Sequence, residues 1–293
     1  MVAFLGCFLF TAGAVLQQLA LYRRSKQYIS LSPGEGRGQQ ALFALGLGCE
    51  VTAVALLPLA TATIFAALHV FCFVLHLATD EERPLLKYEK RGCAGILVGC
   101  MLIWGWGGER RALEPAELAG VVSPLYCIWT LASLALNCSL RRLGFYEGRP
   151  LLESCIPAQV TAIGICSLKF LLLTLESSQR LFPLLLSALL VASALHVSTA
   201  FLGILLRRHD RLVTMASFYG WLVMYQLPSG VLMLGVGVTY SLLHYTVISL
   251  AALFTTAGTG LVAYIRAREI EADLKDKKAA YETREDVDSQ IPS

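Results

Sequence analysis

Nine apolar runs, at about 2–22, 40–56, 59–79, 92–108, 120–140, 156–176, 183–206, 212–236 and 242–265, dominate this chain. A bilayer core about 30 Å thick is crossed by a helix of roughly 17 to 25 mostly apolar residues, so each run is of spanning length. Backbone N–H and C=O groups in lipid must be satisfied within the protein, and separate apolar segments do this as helices. The expected fold class is an all-α integral membrane protein with about nine transmembrane helices. The second and third runs would be far too long as one helix; Pro58, which lacks an N–H and disfavours helix before it, divides them. The first run has no basic leader and is followed by Arg23 and Arg24, so it reads as a retained span and not a cleaved signal.

Composition removes the soluble classes. Hydrophobic residues make up 56% of the chain and charged residues 15%, against about 25% charged in an ordinary soluble domain. Fourteen of the 45 charges sit in the tail, 266–293, so the remainder is more apolar still. That tail reads as a solvated mixed-charge end, helical or disordered. A net charge of +3 is too small to imply nucleic acid. The nine cysteines all lie in or beside apolar runs with no CxxC pair, the pattern of small apolar filler and not of zinc or disulfides.

Lys and Arg placement gives an orientation independent of the segment count. Connections one, three, five and seven and the tail hold 20 of them; connections four and six hold only Arg110, Arg111 and Arg180; Lys169 lies inside the sixth run. Positive charge marks the cytosolic side, so the amino terminus is expected outside or in a lumen and the tail in the cytosol. One helix more or fewer would scramble this partition. Asn137, in a formal Asn-Cys-Ser sequence near the cytosolic end of the fifth run, is expected to carry no glycan. The fifth helix, 120–140, also makes helices one to four and six to nine start on opposite sides. The transmembrane domain 1–265 thus divides into inverted-repeat halves of about 1–108 and 156–265, a transporter-like bundle.

Few residues could carry chemistry. Glu50 is the carboxylate well inside an apolar run, an expensive placement that ordinarily faces a cavity, an ion or a partner. Lys169 is the matching ammonium; it is expected either to pair with Glu50, to reach for the interface, or to act as a movable internal cation opposed to it. Thr52, Thr61, Thr63 and Ser217 are oxygen donors within reach of a hard cation, although helical hydroxyls more often bond the preceding turn. His69 and His76, seven residues apart, read as ordinary hydrogen-bonded histidines more readily than as a site, and Gln17, Gln18, Gln159 and Gln226 as helix-to-helix hydrogen bonds. Glycines at 46–48, 92–99, 230–237 and 258–260 read as close-packing positions. No nucleophile pairing, phosphate-binding glycine loop or HExxH motif occurs, which leaves no enzyme reading.

In order and spacing the chain resembles the NIPA-type magnesium transporters of the drug/metabolite transporter superfamily. The first helix has Gly13, Leu16, Gln17 and Ala20 before its basic exit; the third has Pro58, Ala60 or Thr61, Thr63, Ala67, Leu68 and Val70; then come Glu82, Arg83, Gly92, Cys93 and Gly99. Lys169 falls at the family's sixth-helix lysine; Leu212, Val213, Thr214, the surroundings of Tyr219, Ser229 and Leu232 resemble its eighth helix, and Phe254 and Thr255 its ninth. The chain departs from the pattern at Leu47, where the family's second-helix glutamate would fall and Glu50 stands one turn later, at Gly235 in place of an acidic residue, and at Ile64 and Met215 in place of prolines. The resemblance implies facilitated transport of magnesium or a related divalent cation in a plasma or endosomal membrane, with no cofactor beyond the transported ion. Glu50, by its depth, is the candidate metal ligand, and Gln17, Thr63, Thr214 and Lys169 are candidates along the ion pathway. The partners are the lipid bilayer and the divalent cation. An organic-metabolite or nucleotide-sugar carrier, or a membrane scaffold without transport, are the competing readings.

Overall fold

The computed structural model of the chain describes residues 2–26, 35–57, 59–80, 85–106, 124–176, 181–234 and 242–289, and among these there is helix and turn but no strand. In chain order the helices are α1 (Val2–Lys26), α2 (Glu35–Leu56), α3 (Leu59–Ala66), α4 (Leu68–Asp80), α5 (Lys87–Trp106), α6 (Pro124–Arg142), α7 (Pro150–Glu153), α8 (Cys155–Glu176), α9 (Leu181–Arg208), α10 (Arg211–Leu234) and α11 (Leu242–Ser289). Four apolar spans are long enough to cross a membrane, Thr61–Thr79, Pro150–Leu175, Leu184–Arg208 and Tyr245–Lys275, with shorter apolar helices at Phe4–Gln17 and Gln40–Leu56.

The apolar runs and the helices coincide, with three differences. Helix α2 starts at Glu35 and α5 at Lys87, each about five residues before its apolar run, because polar residues can extend a helix beyond lipid without penalty. The stretch 59–79, expected as one helix, divides at Ala67: the Val70 N–H closes a tight turn on the Ala67 carbonyl at 3.0 Å, one residue short of α-helical spacing. And the charged tail is helical through Ser289, continuous with the last apolar run, supported at its start by Arg266 to Glu269 at 2.8 Å and Lys275 to Glu271 at 2.9 Å.

Burial separates a central from a peripheral set. Residues 61–70 of α3 and α4 are buried throughout, and Ile64, Val70 and Val74 pack in one core with Ile96 of α5 and Leu222 and Val223 of α10. By contrast α6 and α9 turn Leu125, Ile128, Leu131, Leu185, Leu189 and Leu195 outward, an arrangement suited to lipid. Neighbours recur in a pattern: α1 packs on α2 as α8 packs on α9, α1 meets α3 and α4 as α8 meets α10, and α5 meets α3 and α4 as α11 meets α10. The two sets touch most through α5 with α11 and α3 with α10, and also through α4 with α10, α3 with α11 and α2 with α8. The α5–α11 contact is the closest: a Cβ placed on Gly92 would lie 2.7 Å from the Gly258 carbonyl oxygen, so the two backbones meet with no room for a side chain.

Candidate functional site

Helices α1 and α2 cross at two glycines, and that crossing creates the space Glu50 occupies. A Cβ on Gly13 would stand 2.7 Å from both Glu50 Cγ and the Gly46 carbonyl oxygen; one on Gly46 would stand 2.8 Å from Gln17 Cγ. Glu50 and Gln17 are thus folded over the crossing from opposite helices, one turn apart. Gln17 is buried, and its Nε2 has no hydrogen-bond partner among the described residues.

The partner of Glu50 comes from the break at Ala67. Because Val70 bonds to Ala67, the Ala66 carbonyl is available to a side chain, and His69 Nδ1 takes it at 3.0 Å. A carbonyl can only accept, so Nδ1 carries the proton and Nε2 faces the other way. Nε2 lies 2.8 Å from Glu50 Oε1, with 4% of the histidine side chain and 16% of the glutamate exposed. The pair is at ion-pair distance without hydrogen-bond alignment, and Oε1 and Nε2 have no other partner among the described residues. The imidazole is stacked on the Tyr219 ring from α10, with centroids 5.0 Å apart and planes 10° apart, and meets the Phe10 ring edge-on at 6.5 Å. Four helices therefore fix one nitrogen and one oxygen in an apolar interior.

Lys169 is placed elsewhere. Its Nζ donates to the carbonyls of Val54 and Ala55 at 2.8 Å each and of Leu57 at 3.1 Å. These are carbonyls at the end of α2, which no continuing helix satisfies, and a buried ammonium there meets both their lone pairs and the negative end of the helix dipole. The charge that the sequence set against Glu50 thus binds the backbone one turn beyond it, and the carboxylate's 2.8 Å neighbour is His69 instead. Thr63 and Thr214 donate to the carbonyls of Leu59 at 2.8 Å and Asp210 at 2.9 Å in their own helices, as do Thr52 to Gly48 and Ser217 to Val213. Pro58, Gly235 and the 109–118 connection lie outside the described residues.

A second buried polar group joins α6, α8 and α10. Asn137 Nδ2 donates to Gln159 Oε1 and, at 2.8 Å, to the Tyr225 hydroxyl; its Oδ1 accepts from the Tyr146 hydroxyl at 2.9 Å and from Cys155 Sγ at 3.3 Å. Gln159 Nε2 donates to Ser133 at 2.6 Å. Each capacity of the asparagine amide is filled.

Sequence reading weighs His69 with His76 and ranks the pair below Glu50, whereas the structure sets His69 beside Glu50. A lone histidine on an apolar face has no local signature, and its role depends on the break at Ala67, which no proline or glycine announces. Among the described residues no three His, Cys, Asp or Glu side chains come together. Compared with protein-family models, with curated proteins and with solved structures, the chain has no match in any of the three.

Proposed function

We propose that this chain is a nine-span membrane carrier for a divalent cation, magnesium or a related ion, with Glu50 as the carboxylate that receives it. The observation that carries this reading is the pair Glu50 Oε1 and His69 Nε2, held 2.8 Å apart by α2 and α4 inside an apolar bundle with no aligned hydrogen bond between them or to any other described residue. A buried carboxylate and imidazole in contact but poorly aligned recover only part of their desolvation cost, and a visiting ion with its waters offsets the rest. Lys169, engaged with three carbonyls, disfavours the phosphate-carrier reading, which needs cationic groups turned to a cavity.

Contacts between chain ends support the topology. Glu153 in the fifth connection meets His209 in the seventh at 3.0 Å, and Asp210 beside it meets Arg266 at the start of the tail at 3.5 Å. These three regions share one side of the bundle, as the distribution of Lys and Arg requires of odd connections and tail. The matched neighbours of α1 to α5 and α8 to α11 support an inverted repeat. A glycosylation acceptor engineered into 109–118 and extended clear of the bilayer is modified in this topology, whereas one in the tail is not; glycan on the tail discards it.

Moving two charges through 100 mV releases about 4.6 kcal/mol, enough to drive uptake without a coupled ion. The full chain in liposomes loaded with a magnesium indicator takes up the ion when the interior is made negative, and Glu50→Gln stops it. Uptake indifferent to potential, or equal in the variant, sinks the reading.

A further inference from the structure

We propose that His69 Nε2 is a second protein ligand beside Glu50 Oε1, and that the site therefore favours first-row transition ions that accept nitrogen, such as manganese and cobalt, over magnesium. This rests on the reading of Glu50 as the ion site and names its ion class.

The orientation of the imidazole is that of a metal ligand. Ligating histidines ordinarily donate their other ring N–H to a carboxylate or backbone carbonyl, which fixes the tautomer and points the remaining lone pair at the ion. His69 Nδ1 does this with Ala66, at 3.0 Å. The separation of the two ligand atoms also fits. Two atoms about 2.1 Å from one ion and at right angles about it lie about 3.0 Å apart; Nε2 and Oε1 are 2.8 Å apart. A hydrogen-bonded pair would have the ring N–H directed along this line, and the pair does not meet that geometry. Two lone pairs directed at a common third point produce this combination of short distance and poor alignment.

The ring is also held for the task. Tyr219 stacks on one face and Phe10 meets it edge-on, so the nitrogen does not swing away when the carboxylate moves. Two protein ligands leave several positions of an octahedral ion to water, which suits an ion that must leave again. Magnesium prefers an all-oxygen shell and sheds water reluctantly, whereas an imidazole nitrogen strengthens binding along the series from manganese to cobalt.

The test uses the full chain, purified in detergent for binding and in liposomes for uptake, with Mn2+, Co2+ and Mg2+ as probes. Pulsed electron paramagnetic resonance of bound Mn2+ is expected to show coupling to a directly ligated nitrogen, lost in both His69→Gln and Glu50→Gln. Co2+ is expected to compete for uptake at about tenfold lower concentration than Mg2+, and His69→Gln to bring the two within about threefold, a ratio that any fall in overall uptake leaves readable. If His69→Gln fails to insert, the nitrogen coupling of the unaltered protein and its loss in Glu50→Gln decide the matter. Bound Mn2+ without nitrogen coupling, or a Co2+ preference unchanged in an inserted His69→Gln protein, overturns the proposal while leaving a Glu50-dependent carrier intact. No binding or uptake of any of the three ions removes both.

Discussion

Two buried polar groups of the described bundle, one around Asn137 and one around Glu50, are satisfied to opposite degrees. Asn137 fills both donor and both acceptor directions of its amide from Gln159, Tyr225, Tyr146 and Cys155. Around Glu50, Gln17, Glu50 and His69 each retain a buried atom with no hydrogen bond. Inside a low-dielectric bundle a complete network fixes one packing of its helices, and here it attaches α6, whose outward leucines offer little else to hold it. An incomplete group costs stability and leaves atoms free to bind. Residues of similar chemistry thus close a network in one place and leave one open in the other, where the proposed ion would enter.

The comparison breaks most sharply at Glu50. Glu50→Gln is expected to lower divalent uptake more than about a hundredfold while membrane yield and detergent melting temperature stay near those of the unaltered protein. An equal fall in yield would make the Glu50 group as structural as the Asn137 group. Asn137→Leu should show the reverse pattern. It removes four hydrogen bonds, to Tyr146, Cys155, Tyr225 and Gln159, and at roughly 0.6 kcal/mol per membrane hydrogen bond the loss is about 2 kcal/mol, seen as a lower melting temperature with the ratio of transported ions unchanged.

Lys169 sharpens the contrast, because it lies between the two types. Lys169→Met removes the donor from three carbonyls and is expected to cost about 1 to 2 kcal/mol. Since those carbonyls end the helix that carries Glu50, uptake falls with stability and Lys169→Arg recovers part of both; a Met variant that melts normally but transports differently would make Lys169 a pathway residue instead. The smallest effects are expected at Thr63→Val and Thr214→Val, whose hydroxyls serve their own helices: less than about 0.5 kcal/mol and less than about threefold in uptake. A tenfold loss from either would extend the site to α3 or α10.

What the sequence made legible follows the range of the forces involved. Helix in an apolar setting depends on local apolar length, so each apolar run overlaps a described helix, while α7 and the outer half of α11 fall outside the runs. Glu50 stood out because a carboxylate at that depth is costly wherever its helix packs. The target of Lys169 did not, since it depends on which helix end α8 meets, a fact of tertiary packing. His69 was obscured twice, by its commonplace apolar setting and by a break in an Ala-Ala-Leu stretch that has good helix propensity. The tail's helix also exceeded expectation: its Arg266–Glu269 and Glu271–Lys275 spacings support helix locally, but its low apolar content gave no reason for it to run unbroken out of the last span.

That unbroken helix gives the molecule a lever. At about 1.5 Å per residue, the part of α11 beyond Arg266 extends roughly 35 Å from the bundle, and its inner part rests on the glycine face of α5 as on a fulcrum. Tilting the rod by about five degrees at that bearing would carry its tip about 4 Å. A displacement of that size at Ser289 is within the range a pair of spectroscopic labels follows.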